Sequence, residues 1–285
     1  MIAGIARRDL ERVAKYAYRL NSIPQHKCKA FPTDYDSIVA QFEKMSSHPN
    51  DELLVSTDDT NILGVLAILV EPEDMYLEAI GGVFADDNYE AIAKEFYAYL
   101  RNNYRGYRFD AAYPKENEQA VDFMKSIGAE LLDYDYELRL SSIAYENVAD
   151  NANIIELNEE YHKSFVETHN EAHWDAYWTG ERLLKALDKF DIFIAVKQAK
   201  VIGSVVTSKL TRTMEEIYFL DVVEDKRNQG YGTALINKAL QHAFDNGTDE
   251  LMVMVGKDNM VALHLFEKLG FRKTDTCLTY SMKLR

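Results

Sequence analysis

At 285 residues, 47% of them hydrophobic, the chain has enough apolar material for packed cores in two domains of ordinary size. Its formal net charge of −15 argues against nucleic acid, whose phosphates need a basic face, and no apolar run reaches the length of a membrane span. The same negative field suits cationic acceptors such as amines, so an anionic ligand would have to rely on local positive groups: Lys226, Arg227 and a helix terminus.

The spacing predicts a helix over residues 2–20, broken at Asn21-Ser22-Ile23-Pro24, and a second over 35–45 that stops near 46–50. Strands follow at 52–56 and 62–70 around a turn at Asp58-Asp59-Thr60-Asn61, then at 76–84. A helix over 89–104 directs Ile92, Ala93, Phe96, Tyr97 and Leu100 inward. Next come a short strand at 109–112, a helix over 117–126 ended by Gly128, and strand character over 131–140. Residues 141–153 (SSIAYENVADNAN) are polar and aperiodic, so they read as a linker between domains at 1–140 and 154–285. The order then begins again: a short strand at 154–157, helices over 159–171 and 181–188, and a strand at 192–197. A hairpin turn at Gln198-Ala199-Lys200 leads to a strand at 201–210. After the stretch 216–244, a strand at 251–255, a helix over 260–269 and strands at 271–273 and 278–284 complete the chain.

The two halves share one element order, and single residues repeat with it. Asn117, Ala120 and Gly128 recur as Asn259, Ala262 and Gly270, each 142 positions later, and Gly64 of the first hairpin finds Gly203 in the second. This is duplication of a whole domain.

The stretch 216–244 organises the second half. It opens as a strand, turns through Arg227-Asn228-Gln229-Gly230-Tyr231-Gly232, and continues as a helix with Leu235, Ile236, Ala239, Leu240, Ala243 and Phe244 at helical spacing. The first N–H groups of a helix lack partners within it, and the aligned peptide dipoles favour negative charge there. Gly230 and Gly232 allow positive φ and close approach to the backbone. The loop therefore reads as a pyrophosphate holder, although it has neither the Lys-Ser/Thr ending of a Walker A loop nor a dinucleotide GxGxxG.

R-x-x-G-x-G after a strand ending in Val222 resembles the acetyl-CoA loop of the GNAT superfamily of N-acetyltransferases. Asn259-x-x-Ala262-x-x-x-Phe266-Glu267-Lys268-Leu269-Gly270-Phe271 resembles that family's second segment, in which an Asn and an aromatic face CoA. The resemblance is strong over 154–285 and faint over 1–140. It implies an α/β (α+β) fold of two tandem GNAT-like domains, each a mixed, mostly antiparallel twisted sheet flanked by helices. It also implies acetyl-CoA as co-substrate. The backbone of Leu220, Asp221 and Val222 would meet the pantetheine arm, and Arg227, Asn228, Gln229, Gly230, Tyr231, Gly232 and Thr233 would wrap the pyrophosphate. Asn259 and Phe266 would lie near the CoA arm. Asn228 stands where the family usually has its first glycine, a change that Asn tolerates because it enters the left-handed region readily.

Transfer to an amine requires removal of its proton, a task for a carboxylate. Glu216, eleven residues before Arg227, holds the position of the base in the histone-acetyltransferase branch. Strand alternation would place it on one face with Tyr218, Leu220 and Val222. A solvated strand-end carboxylate is an equal reading, and Glu215 competes with it. Many GNAT enzymes use a tyrosine as general acid where this chain has Phe266; Tyr218 or Tyr280 would then substitute, unless the thiolate leaves unassisted. The segment His169-Asn170-Glu171-Ala172-His173-Trp174-Asp175-Ala176-Tyr177-Trp178 either lines an aromatic, partly acidic acceptor pocket or packs as an aromatic cap. Its H-x-E-x-H pattern matches neither HExxH nor HxxEH, and with no evident third ligand no metal is expected.

In the first half, Phe84-Ala85-Asp86-Asp87-Asn88-Tyr89 stands where the second has its loop. Asp86, Asp87 and Glu90 would occupy the helix N-terminus and repel a pyrophosphate, so this half is expected not to bind acetyl-CoA but to complete the acceptor cleft or stabilise its neighbour. Cys28 and Cys277, far apart and without a C-x-x-C, suit a reduced, cytoplasmic protein without disulfide framework or structural zinc. The N-terminal stretch reads as amphipathic rather than as a signal peptide. The expectation is an N-acetyltransferase for a small-molecule or peptide amine, acting in a ternary complex, with no nucleic-acid or membrane partner. The alternatives are a non-catalytic CoA-binding regulatory or interaction protein and a nucleotide-binding αβ protein.

Overall fold

The computed structural model describes residues 2–4, 9–29, 31–58, 61–86, 88–145, 154–174 and 176–285. In chain order the elements are β1 (Ile2–Gly4), α1 (Leu10–Asn21), α2 (Tyr35–Ser47), β2 (Glu52–Asp58), β3 (Asn61–Glu71), β4 (Tyr76–Ala85), α3 (Tyr89–Asn103), β5 (Arg108–Pro114), α4 (Glu118–Ser126) and β6 (Glu130–Ser141). They continue as β7 (Ile154–Glu156), α5 (His162–Ala172), α6 (Gly180–Leu184), β8 (Phe190–Lys197), β9 (Lys200–Lys209), β10 (Met214–Val222), α7 (Tyr231–Asp245), β11 (Glu250–Gly256), α8 (Met260–Lys268) and β12 (Arg272–Lys283). The chain forms two compact units, residues 1–135 with 275–285 and residues 136–274. These bounds differ from the division at 1–140 and 154–285, because β6 and β12 each run through both units. Of the expected linker, residues 146–153 lie outside the described residues, as do residues 59–60 of the first predicted turn and residues 5–8 of the first predicted helix.

In the first unit β1, β2, β3 and β4 pair antiparallel in that order, β4 pairs parallel with β5, and β5 pairs antiparallel with β12, from Cys277↔Pro114 to Lys283↔Arg108. The chain's last strand thus completes the sheet of its first unit. Ile2–Gly4 is an edge strand registered on β2 (Ile2↔Ser56), not the start of a helix. The helix begins at Leu10 and buries Leu10, Val13, Ala14, Ala17 and Leu20 on one stripe. Phe42, Phe84, Phe96 and Tyr113 fill the core with Leu278 and Tyr280 of β12. Lys27 Nζ lies 3.0 Å from Asp275 Oδ2, and the Lys115 N–H donates to the Thr276 carbonyl at 2.8 Å, fixing the start of that strand.

In the second unit β7, β8, β9 and β10 pair antiparallel and β10 pairs parallel with β11, which borders the 136–141 segment of β6. Alternation along β8 feeds two cores. Phe193 and Ala195 join Ile217, Leu235, Ile236, Ala239, Leu240 and Phe271 beneath α7. Phe190, Ile192 and Ile194 join Phe165, Leu183 and Val206 beneath α5 and α6. The predicted strands at 271–273 and 278–284 are one continuous strand, β12.

Candidate functional site

β10 delivers the site, and its local geometry departs from simple alternation. Ile217 pairs with Thr207 and Phe219 with Val206, so Tyr218 is an extra residue in a β-bulge. The bulge exchanges the faces of the strand beyond it. Leu220 and Val222 share the α7 face with Ile217, while Asp221 falls on the opposite face with Phe219. Glu216, registered on Ser208, lies on the Phe219 and Asp221 face rather than with Leu220 and Val222. The parallel register with β11 also ends at Ile217↔Val253, although both strands continue. Among the described residues, β10 from Phe219 to Val222 is registered on β9.

Beyond Val222 the chain makes one 3₁₀ turn at Glu224–Lys226 and reaches α7 through two left-handed residues, Asn228 (φ 60) and Gly230 (φ 89). A Cβ at Gly230 would meet nothing within 4 Å, so this position is open as well as left-handed. Arg227 Nε donates to the Val222 carbonyl at 2.9 Å and Gln229 Nε2 to the Asp225 carbonyl at 2.9 Å, bracing the loop through side chains. The first backbone N–H of the segment to find an acceptor after Arg227 is that of Ala234, which donates to the Gly230 carbonyl at 3.0 Å. The six N–H groups of Asn228, Gln229, Gly230, Tyr231, Gly232 and Thr233 have no acceptor among the described residues. Such a run at the positive end of a 15-residue helix is a receptor for an anion.

The second motif resolves into structure. Asn259 caps α8, its side chain accepting from the Ala262 N–H at 3.1 Å, and is exposed. Phe266 is 2% exposed and packs edge-on against Phe271 at 5.1 Å, so it is a core residue rather than one facing a ligand. Glu215 is buried, with Oε1 accepting from the Thr248 hydroxyl at 2.6 Å. Glu216, by contrast, is half-buried.

Tyr280 comes from β12. It lies in the first unit, 2% exposed, registered on Ala111 within that unit's core, and burial together with Asp122 raises its pKa. The last strand belongs to the first unit's sheet, so Tyr280 is a core residue of that unit. Tyr218, 42% exposed at the bulge, stays with the site.

The aromatic segment divides. Trp178 packs edge-on against Phe190 at 4.8 Å, whereas Trp174 is 83% exposed, and the Arg182 guanidinium lies 4.1 Å from the centre of the Tyr177 ring. Asp175 lies outside the described residues. His169 is fully buried, with Nε2 2.9 Å from the Trp178 carbonyl, and burial lowers its pKa despite that bond. His173 Nε2 lies 3.6 Å from Asp221 Oδ1, which accepts from the Ser204 hydroxyl at 2.8 Å. The sequence did not suggest Asp221 as a partner for this pair.

The corresponding connection of the first unit is short. β4 ends at Ala85 and α3 begins at Tyr89, leaving residues 86–88 where the second unit has residues 223–230. Asp86 is paired with Arg19 at 2.8 Å and Glu90 with Lys94 at 2.5 Å, so these two acids are partly neutralised instead of standing as bare repellents. Asp87 lies outside the described residues. Among the described residues no helix is long and apolar enough to cross a membrane.

Residues 154–271 match the acetyltransferase (GNAT) family. An uncharacterized N-acetyltransferase of Methanocaldococcus jannaschii is 31% identical over 106 residues, which are 35% of this chain and 46% of that protein; the chain thus spans less than half of that relative. A GCN5-related N-acetyltransferase structure from Sphaerobacter thermophilus is 12% identical with a TM-score of 0.77, covering 100% of this chain and 96% of that one. A tandem GNAT protein from the clavulanic acid biosynthesis pathway is 13% identical with a TM-score of 0.71, covering 100% of this chain and 98% of that one. At these identities the two structures establish fold. Residues 154–271 are thus similar to the GNAT acetyltransferase family, and along its whole length the chain has the fold of tandem GNAT proteins.

Proposed function

We propose that the second unit binds acetyl-CoA and transfers its acetyl group to an amine by direct attack in a ternary complex. The observation that carries this reading is the run of six N–H groups from Asn228 to Thr233 at the head of α7 without an acceptor among the described residues, next to a strand whose register with β11 ends at Ile217. A pyrophosphate held there would accept several charge-assisted bonds. The peptide groups of Leu220, Asp221 and Val222 would flank the pantetheine arm as an added strand would.

Glu216 would take the amine proton, directly or through water, with positioning supplying much of the rate. Glu215 is the weaker candidate because it is buried and engaged by Thr248. The leaving thiolate would depart unassisted or take a proton from Tyr218. The first unit would bind no acetyl-CoA, because its connection is too short to present a comparable row of N–H groups.

Release of free CoA thiol from acetyl-CoA in the presence of an amine panel tests the reading. Acceptor-dependent release is expected. Binding of CoA without release by any amine would favour a regulatory CoA-binding protein, and displacement of CoA by ATP would favour a nucleotide site.

A further inference from the structure

Three buried polar atoms on the α5 side of β10 lack hydrogen-bond partners: Nδ1 of His169, Nε2 of His173 and Oδ2 of Asp221. One ligand atom from each of these residues falls within a set lying within 4.8 Å of one another. Left unmet, each such atom keeps the cost of having been taken out of water. His173 Nε2 and Asp221 Oδ1 lie 3.6 Å apart, too far for a hydrogen bond.

We propose that His169, His173 and Asp221 form a binding site for a divalent transition-metal ion of the zinc type. The two histidines stand four residues apart, the separation that puts two imidazoles on one face of a helix, as in zinc-binding HExxH helices. His169 lies on α5 and His173 at its C-cap, and both rings pack on Phe219, at 4.9 and 4.7 Å. The supporting contacts are those that metal ligands need. A carbonyl can only accept, so the 2.9 Å contact between His169 Nε2 and the Trp178 carbonyl places the proton on Nε2 and leaves a lone pair on Nδ1, which has no hydrogen-bond partner. The Ser204 hydroxyl holds Oδ1 of Asp221 and leaves Oδ2 for an ion. Three protein ligands leave a fourth position for water or another donor, and the His173 side chain remains 24% exposed.

Full-length, untagged protein stripped with a chelator and titrated with Zn²⁺ in a calorimeter is expected to take up one ion per chain. Co²⁺ in its place should give the intense visible absorption of a tetrahedral site. His173→Ala and Asp221→Asn should each weaken Zn²⁺ binding by about 100-fold, while Glu171→Gln, an exposed acid in the same segment, should not. Circular dichroism on each variant separates loss of the site from loss of the fold. Absence of Zn²⁺ uptake by the parent chain would overturn the proposal, as would undiminished binding in both folded ligand variants.

Discussion

Asn117 and Asn259, 142 positions apart, make the same bond: each side chain accepts from the N–H of the alanine three residues on, at 3.2 and 3.1 Å, and starts a nine-residue helix. Their surroundings differ. Asn117 is fully buried and also donates to the Lys27 carbonyl at 2.9 Å, whereas Asn259 is exposed. Asn259→Ala should therefore cost about 1 kcal/mol, the value of a helix cap. Asn117→Ala should cost about 2–3 kcal/mol, because it also strands the part-buried Lys27 carbonyl. Urea denaturation of the two variants measures the difference; equal losses would contradict it.

Gln198 and Ala199 turn the β8–β9 hairpin with φ of 52 and 59, a conformation that favours glycine. Ala199→Gly should stabilise the second unit by about 0.5–1 kcal/mol, visible as a higher thermal midpoint.

Asp275 is buried against Lys27, and its pKa reflects a contest. Burial pushes the carboxyl up, while the hydrogen bond and charge of Lys27, the Thr276 N–H and Lys29 pull it down, and the net shift is downward. A carboxyl lowered on folding contributes stability that is complete above its ordinary value near 3.8 and is lost as the pH falls through the folded value. Lys27→Met should remove about 1–3 kcal/mol at neutral pH and flatten the acid limb of the stability curve. An unchanged acid limb would refute the assignment.

Cys28 and Cys277 are both buried, and burial raises both thiols, that of Cys277 to about 12. A thiol-reactive disulfide should modify neither in the native protein and both after denaturation.

Glu216→Gln should lower kcat by about 100-fold or more and remove the acidic limb of the kcat/KM profile, with little effect on CoA affinity. Glu215→Gln should instead act mainly on stability, because its carboxylate is held by Thr248 at 2.6 Å in the core.

Much of this architecture was legible in the order of elements and in repeated single residues. Gly64 and Gly203 illustrate why. A Cβ at Gly64 would meet Ile92 at 2.4 Å and one at Gly203 would meet the Asp221 carbonyl at 2.6 Å, so both positions exclude a side chain for reasons of packing. The left-handed Asn228 was legible as well, since its chemistry is local. What escaped was set by pairing. The bulge at Tyr218 is decided by how β9 meets β10, and it reversed the face on which Leu220, Asp221 and Val222 were placed. The location of Tyr280 depends on which sheet accepts the last strand, and strand periodicity does not specify that. Asp221 joins His169 and His173 from a distant strand, so the H-x-E-x-H pattern looked incomplete in one dimension.

The central claim is that one carrier binds, at the N–H groups of Asn228 to Thr233. Calorimetric titration with acetyl-CoA tests it most directly, comparing the parent chain with Gly230→Ala, whose left-handed φ of 89 an added methyl group strains. One acetyl-CoA per chain is predicted, with affinity at least about tenfold lower in a folded Gly230→Ala variant, a loss on the order of 1.4 kcal/mol. Two carriers per chain, no heat at all, or binding indifferent to Gly230→Ala would contradict it.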